Sequence, residues 1–285
     1  MSDTPLLRIS DLSVDLGHGI LSTRVLNDVS LGVDRGRTVG IVGESGSGKS
    51  TLAKTIVGLH RIAAGSILFD GTELASAPRA TIAAVRRRVQ YIPQDPFSSL
   101  DPRRTIGQTL AEAIDPVGAR LRRHRSRIVE ALASVALGED AVDRYPHEFS
   151  GGQRQRIAIA RALVVDPDVI VADEITSALD VSTQAEILRL LDRLQRERDL
   201  TMLFISHNLA VVEHLCDDVV VLLHGRIVEQ GAIADVFADP REPYTRRLLE
   251  SVPGGAAFDV SAPVTTAAVR TVTTPVRRRW FATGG

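Results

Sequence analysis

Thr38-Val39-Gly40-Ile41-Val42-Gly43-Glu44-Ser45-Gly46-Ser47-Gly48-Lys49-Ser50-Thr51 places an apolar run, a glycine-rich turn and a lysine with two hydroxyls in immediate succession. From Gly43 onward the stretch fits G-x-x-x-x-G-K-[ST], and Leu52, Ile56 and Leu59 continue it with helical spacing. Strand, loop and helix in that order form a phosphate cradle. The glycines let successive N–H groups curl inward at phosphate oxygens, and the helix start adds a favourable dipole. Lys49 is placed to reach the β- and γ-phosphates, and the Ser50 hydroxyl to coordinate Mg2+. Lys49 and Lys54 are the only lysines among 34 basic residues, so the lysine in this loop is no accident of composition.

Outward from the loop, apolar runs recur at Val89–Ile92, Val169–Ala172, Met202–Ile205 and Val219–Leu223. Continuous rather than alternating apolarity predicts strands buried on both faces. Ile187, Leu190, Leu191 and Leu194 form a helical stripe, as do Ile128, Leu132 and Val135. Strands alternating with helices predict an α/β fold around a largely parallel sheet. Leu6–Leu16 and Val25–Val33 alternate more and are expected to supply an antiparallel edge. From about residue 95 to 167 the pattern turns helical and reads as an inserted subdomain, with Arg120–Arg127 as a solvated helix start. Residues 1–253 are thus expected to form one nucleotide-binding domain. Residues 254–285, rich in Ala, Thr, Val and Pro without periodicity, are expected to form a disordered tail.

Two strand ends and one helix start carry further chemistry. Asp173 and Glu174 close the run Val169–Ala172, where a phosphate-loop protein places its Mg2+-associated acid. Asp173 fits that metal role. Glu174, pointing differently, is the candidate base for an attacking water. Ser206-His207 follows Met202–Ile205, so His207 is expected to emerge at the carboxyl edge of the sheet beside the γ-phosphate. Ser150-Gly151-Gly152-Gln153 heads the helical run to Leu163 and suggests a second phosphate contact, about a hundred residues from the loop.

Composition narrows the class. The chain has 285 residues, 44% of them hydrophobic, enough for a substantial core. A net charge of −1 gives no bulk field that would favour nucleic acid or an anionic membrane. No run approaches the roughly 18 apolar residues a membrane span needs, and Met1–Asp15 lacks the pattern of a signal peptide, so a cytosolic protein is expected. Cys216, the only cysteine, excludes an internal disulfide or a cysteine-clustered metal site and reads as a small buried apolar residue.

The loop, Gln94, Ser150–Gln153, Asp173-Glu174, Ser177-Ala178-Leu179-Asp180 and His207 stand in the order found in ATP-binding-cassette ATPases, which the chain resembles over about Leu6 to Gly231. They match that family's Walker A, Q-loop, signature, Walker B, D-loop and H-loop. The resemblance implies a phosphate-loop NTPase of the ABC type, with ATP and Mg2+ as cofactors. It assigns ATP contacts to Gly43, Glu44, Ser45, Gly46, Ser47, Gly48, Lys49, Ser50, Thr51, Gln94 and Asp180. It assigns metal contacts to Ser50, Gln94 and Asp173, and catalysis to Glu174 and His207. It further implies a head-to-tail dimer in which Ser150, Gly151 and Gly152 hold the γ-phosphate of a partner's ATP, with Gln153 counted among the same nucleotide-site residues.

Gln94-Asp95-Pro96-Phe97-Ser98-Ser99-Leu100-Asp101-Pro102-Arg103 and Glu242-Pro243-Tyr244-Thr245-Arg246-Arg247-Leu248-Leu249 look like the oligopeptide and dipeptide importer branch. The expected role is therefore an ATP-hydrolysing, energy-coupling subunit at the cytoplasmic face of the inner (plasma) membrane. Its expected partners are a second ATPase, two membrane permease subunits and, indirectly, an extracytoplasmic substrate-binding protein, with no nucleic acid. The branch favours a heterodimer and leaves a homodimer open. It also contains nickel and glutathione importers, and a DNA-repair ATPase is a more distant alternative, although Ser50 to Ser150 is too short for a coiled-coil insertion. A non-hydrolysing module conflicts with the intact Glu174 and His207. Three departures stand out. Leu16-Gly17-His18-Gly19-Ile20 occupies the place of the usual adenine-stacking aromatic, Phe149 replaces a leucine and Ile175 a proline. No iron–sulfur cluster is expected.

Overall fold

The parallel strands are apolar throughout because each divides its side chains between two hydrophobic clusters. In a computed structural model, which describes residues 4–17 and 22–251, strands β1 (Leu7–Leu16) and β2 (Thr23–Val33) lead into β3 (Thr38–Val42) and helix α1 (Lys49–Ile56). Next come β4 (Ala64–Phe69), β5 (Thr72–Glu73), α2 (Arg79–Arg88) and β6 (Val89–Ile92). Helices α3 (Pro96–Ser99), α4 (Ile106–Ile114), α5 (Leu121–Ser134) and α6 (Gly151–Leu163) follow. The chain then runs through β7 (Val169–Asp173), α7 (Val181–Arg198), β8 (Thr201–Ile205), α8 (Leu209–Leu215), β9 (Asp218–Leu223) and β10 (Arg226–Ala232). It closes with α9 (Ile233–Ala238) and α10 (Pro243–Glu250).

The larger sheet has the order β10-β9-β3-β8-β7-β6, parallel except for the β9–β10 pair. Side chains alternate across a strand. Val169, Val171, Leu203 and Ile205 therefore join one cluster, with Leu7, Ile9, Ile67 and Phe69 from a second sheet. Ile170, Ala172, Met202 and Phe204 join the other, with residues of α4, α5, α6 and α7. The second sheet is four-stranded and antiparallel, ordered β2-β1-β4-β5. The expected antiparallel region is therefore larger than its first two strands and forms a layer of its own. Residues 95–167 contain only helical elements, and Arg120–Arg127 opens α5. Arg127 Nε donates to Val164 O, the residue capping the end of α6, at 2.6 Å, so this basic run also ties α5 to the end of α6. The expected tail, 254–285, lies outside the described residues.

At the amino end of the parallel strands an alternating ring of charges joins the two sheets. Arg35 bonds Asp70 at 2.8 Å and Asp168 at 3.3 Å, while Arg88 bonds the same two carboxylates at 2.8 and 2.6 Å. Asp70 follows β4 and Asp168 precedes β7, so the ring spans both layers. Arg88 also lies over the Phe69 ring, 4.7 Å from its centroid. Solvent screens each pair, yet sharing partners makes the ring more than one isolated bridge. Asp168→Asn should lower unfolding free energy by about 1 kcal/mol. The check is denaturant unfolding with and without 1 M salt, where salt should narrow the gap between variant and parent.

Candidate functional site: a phosphate loop at the sheet's carboxyl edge

The carboxyl ends of β3, β8, β7 and β6 lie side by side, and each releases one piece of the site. From β3 the chain turns at Gly43, whose φ of +148° and whose Cβ position, 2.1 Å from Leu222 O, exclude a side chain. Gly48 (φ +109°) caps α1 with no side-chain hydrogen bond, and no acid stands in the first turn. The first helical bond runs from Leu52 N to Gly48 O at 2.9 Å, which leaves the N–H groups of Lys49, Ser50 and Thr51 without intrahelical partners. Ser47 Oγ is buried with no hydrogen-bond partner. Orphaned donors around a glycine-lined turn fit a phosphate chain.

Lys49 is 5% exposed, and its Nζ donates to Gly43 O and Glu44 O, both at 2.8 Å. Burial pulls its ammonium below the ordinary lysine range, against the opposing pull of Glu174, Asp173 and Glu44. A bound anion would supply the charge partner that the two carbonyls lack.

From β7, Asp173 ends the strand at 3% exposure. Ser50 Oγ donates to its Oδ1 at 3.0 Å and Tyr91 Oη to its Oδ2 at 2.8 Å. Burial first, then the Asp173 bond and charge, push the Tyr91 phenol well above its ordinary value, so it remains a proton donor. Glu174 has φ +49°, in the left-handed region, and its N–H donates to Ile205 O at 3.0 Å. That turn separates its side chain from that of Asp173. Glu174 Oε2 accepts from Gln94 Nε2 at 3.1 Å and lies 3.7 Å from His207 Nδ1. The Gln94 amide also reaches Ser177 Oγ at 3.3 Å. Lys49, Ser50, Asp173, Glu174, Gln94 and His207, far apart in sequence, therefore surround one sheet edge. Gln94 bonds Glu174 there, whereas Ser50 and Asp173 bond each other directly.

Ser150 to Gln153 stand apart. Ser150 caps α6 in a reciprocal box: Gln153 N donates to Ser150 Oγ at 3.3 Å, and Ser150 N to Gln153 Oε1 at 2.9 Å. A Cβ on Gly152 would lie 2.4 Å from Thr183 Cγ2, so this glycine lets α6 pack on the start of α7. Asp180 caps α7 and accepts from Thr183 N at 3.0 Å and Thr183 Oγ1 at 2.8 Å. The Ser182 hydroxyl, followed by Thr183, holds its carboxyl down to about 2. Signature and Asp180 form one unit, and among the described residues no hydrogen bond joins it to Gly43–Thr51.

Two tyrosines missed as site residues belong here. Tyr91 emerges from β6 opposite Val171, and the face it shares with Asp173 follows from strand alternation. Tyr244, quoted above only as part of a branch motif, is 6% exposed and its hydroxyl accepts the Glu44 N–H at 2.9 Å. The 200 residues between them hid that contact. Glu229 prepares it by accepting Arg241 N at 2.8 Å and Glu242 N at 3.2 Å just before α10. Leu16 and Gly17 are described, but His18 to Ile20 lie outside the described residues. Tyr244→Phe removes the acceptor of the Glu44 N–H and should cost about 1 kcal/mol, with faster hydrogen exchange at the Glu44 amide. Chemical denaturation and exchange mass spectrometry of the full chain check both.

Comparison with known proteins gives a consistent result. A family model described as ABC transporter matches residues 26–177. A Brucella ovis protein named "Putative peptide import ATP-binding protein" is 50% identical over 254 residues, covering 89% of this chain and 80% of its own length. A Brucella abortus protein of the same description is 47% identical over 258 residues, covering 87% of this chain and 77% of its own length. Among solved structures, cbiO1 from Clostridium perfringens, described as part of the ABC transporter complex cbiONQ, superposes with a TM-score of 0.72 at 30% identity. That match covers 83% of this chain and 92% of that one. The ATP-binding cassette MJ0796, described as dimeric and bound to ADP and Pi after hydrolysis, gives 0.69 at 28% identity, covering 80% and 98%. The loop and sheet edge described above are those of an ATP-binding cassette, and the chain belongs to the ABC transporter family.

Proposed function

We propose that this chain is the ATP-hydrolysing, energy-coupling subunit of an importer for oligopeptides or dipeptides. The observation that carries the reading is the meeting of Lys49, Ser50, Asp173, Glu174, Gln94 and His207 at the carboxyl ends of four neighbouring strands. The peptide assignment is supported by the names of relatives at 50% and 47% identity.

ATP's phosphates lie in the turn 43–51, on the free N–H groups of the α1 start, with Lys49 Nζ as counter-charge. One hydroxyl (Ser50) and one carboxylate (Asp173) suit Mg2+, a hard cation that takes its remaining ligands from phosphate oxygens and water. A cation held by Ser50 and Asp173 would offset the phosphate charge that develops in the transition state. Glu174 accepts the proton of a water whose oxygen attacks the γ-phosphorus as the bond to the bridging oxygen of ADP breaks. Gln94 and His207 hold Glu174 Oε2 towards that water, and Gln94 gains a metal contact when nucleotide enters.

Ser150, Gly151 and Gly152 hold the γ-phosphate of a nucleotide seated on a second ATPase subunit, a sister chain in preference to an identical one. The dimeric MJ0796 structures support such pairing. Residues 1–253 act as one nucleotide-binding unit, with the helical stretch 95–167 carrying the signature. Beside Gln94 a groove of about 350 Å3, lined by Val57, Leu59, Tyr91, Pro93, Ala158 and Arg161, receives a segment of the membrane permease. Among the described residues no helix is long and apolar enough to cross a membrane. Attachment to the cytoplasmic face therefore runs through two permease subunits, and an extracytoplasmic binding protein delivers the substrate.

Glu174→Gln should keep ATP affinity within about twofold, cut hydrolysis by about 10²- to 10⁴-fold and hold the dimer closed. Turnover near the parent rate would remove Glu174 as the base. In a reconstituted complex, peptide-loaded binding protein should stimulate the ATPase. Stimulation by a metal complex and not by peptides would overturn the peptide assignment.

A further inference from the structure

We propose that Tyr91 is a positioning residue for the metal-binding carboxylate: its hydroxyl fixes the rotation of Asp173 so that Oδ1 alone faces Ser50 and the cation held there. The inference rests on the Mg2+–ATP reading above and adds a residue that neither the loop nor the strand-end acids reveal.

Strand register brings the two side chains together. Tyr91 pairs with Val171 across the parallel β6–β7 ladder. Asp173 is two residues further along the same face, a diagonal neighbour within reach of an aromatic side chain. The ring crosses that gap and presents its hydroxyl to Oδ2 at 2.8 Å, while Ser50 Oγ holds Oδ1 at 3.0 Å. Each oxygen of this buried carboxylate thus has its own donor, and the two come from different elements, β6 and α1. The terminal torsion of an aspartate is broad, so one donor would leave the carboxylate free to turn about its own axis. Two donors on opposite oxygens remove that freedom. When Ser50 Oγ turns to a cation, Oδ1 loses its donor and faces the cation shell, while Oδ2 stays held by Tyr91.

Among the described residues no other side chain bonds the Asp173 carboxylate. Gln94 and His207 serve Glu174, and Lys49 is bonded to Gly43 O and Glu44 O. Tyr91 has no place against phosphate itself and acts through Asp173. Partners of this outer kind tune metal affinity because they set the orientation of the ligand that the metal sees.

Tyr91→Phe removes one oxygen and keeps the ring. The test is equilibrium ATP binding to the full chain, by titration calorimetry, once in millimolar Mg2+ and once in excess chelator. The expected result is an MgATP Kd weakened about tenfold, with metal-free ATP affinity changed less than about twofold, and a Mg2+ titration of ATP binding displaced to higher concentration. A merely structural role would weaken both conditions alike, and that outcome overturns the proposal. So does unchanged affinity in both. Thermal unfolding without nucleotide reports folding separately, and Tyr91→Met, which fills much of the space with no donor for Oδ2, should reproduce the metal-specific loss. A parent chain that binds ATP equally with and without Mg2+ would instead overturn the Mg2+–ATP reading itself.

Discussion

The parallel pairing of β3 with β8, β8 with β7 and β7 with β6 is the constraint on which the site depends. Parallel strands buried on both faces offer chemistry only at their ends, and a shared direction puts every carboxyl end on one edge. The phosphate loop, Asp173-Glu174, Ser206-His207 and Gln94 each leave that edge within two residues of a strand end. The two clusters that bury the strands thereby also set the spacing of the acid pair against Lys49 and Ser50. The charge ring of Arg35, Asp70, Arg88 and Asp168 closes the opposite edge, away from the reacting groups.

Electrostatics then divide the labour between two adjacent carboxylates. Asp173 is buried and held by two hydroxyl donors, an arrangement for holding an orientation. Glu174, placed by a left-handed backbone turn, meets an amide and an exposed imidazole, an arrangement for handling a proton. Lys49 is buried and bonded to two carbonyls of the loop. A phosphate chain arriving in the loop meets free N–H donors, an orphaned Ser47 hydroxyl and a lysine whose charge burial disfavours. Phosphate binding there would relieve all three at once.

Much of this was legible in the sequence because it is local. The strand–loop–helix order of Thr38 to Thr51 gave a phosphate cradle, and Val169–Ala172 followed by two acids gave a strand end with chemistry. The boundaries of β3 and β6 coincide with their apolar runs. What escaped was long-range or lacked contrast. β4, β5 and α2 carry no marked periodicity, so the size of the antiparallel sheet did not emerge. Tyr91 looked like one more strand residue, although strand parity alone puts it on the face of Asp173. Tyr244 was visible as a motif, but no local rule says that a helix 200 residues on supplies an acceptor to the loop. The close approach of Gly152 to Thr183 depends likewise on how α6 meets α7, which no single stretch encodes.

In the proposed assembly the phosphate loop and the helix start at Ser150 belong to two different nucleotide sites, each completed by another subunit. A structure of the assembled transporter carrying Glu174→Gln, solved with MgATP, tests it most directly. Ser150 Oγ and the Gly152 N–H should lie within hydrogen-bond distance of a γ-phosphate whose nucleotide rests on the other ATPase subunit's loop. A γ-phosphate reached by Lys49 and Ser150 of the same chain, or a Ser150 with no nucleotide contact in the closed complex, would contradict it.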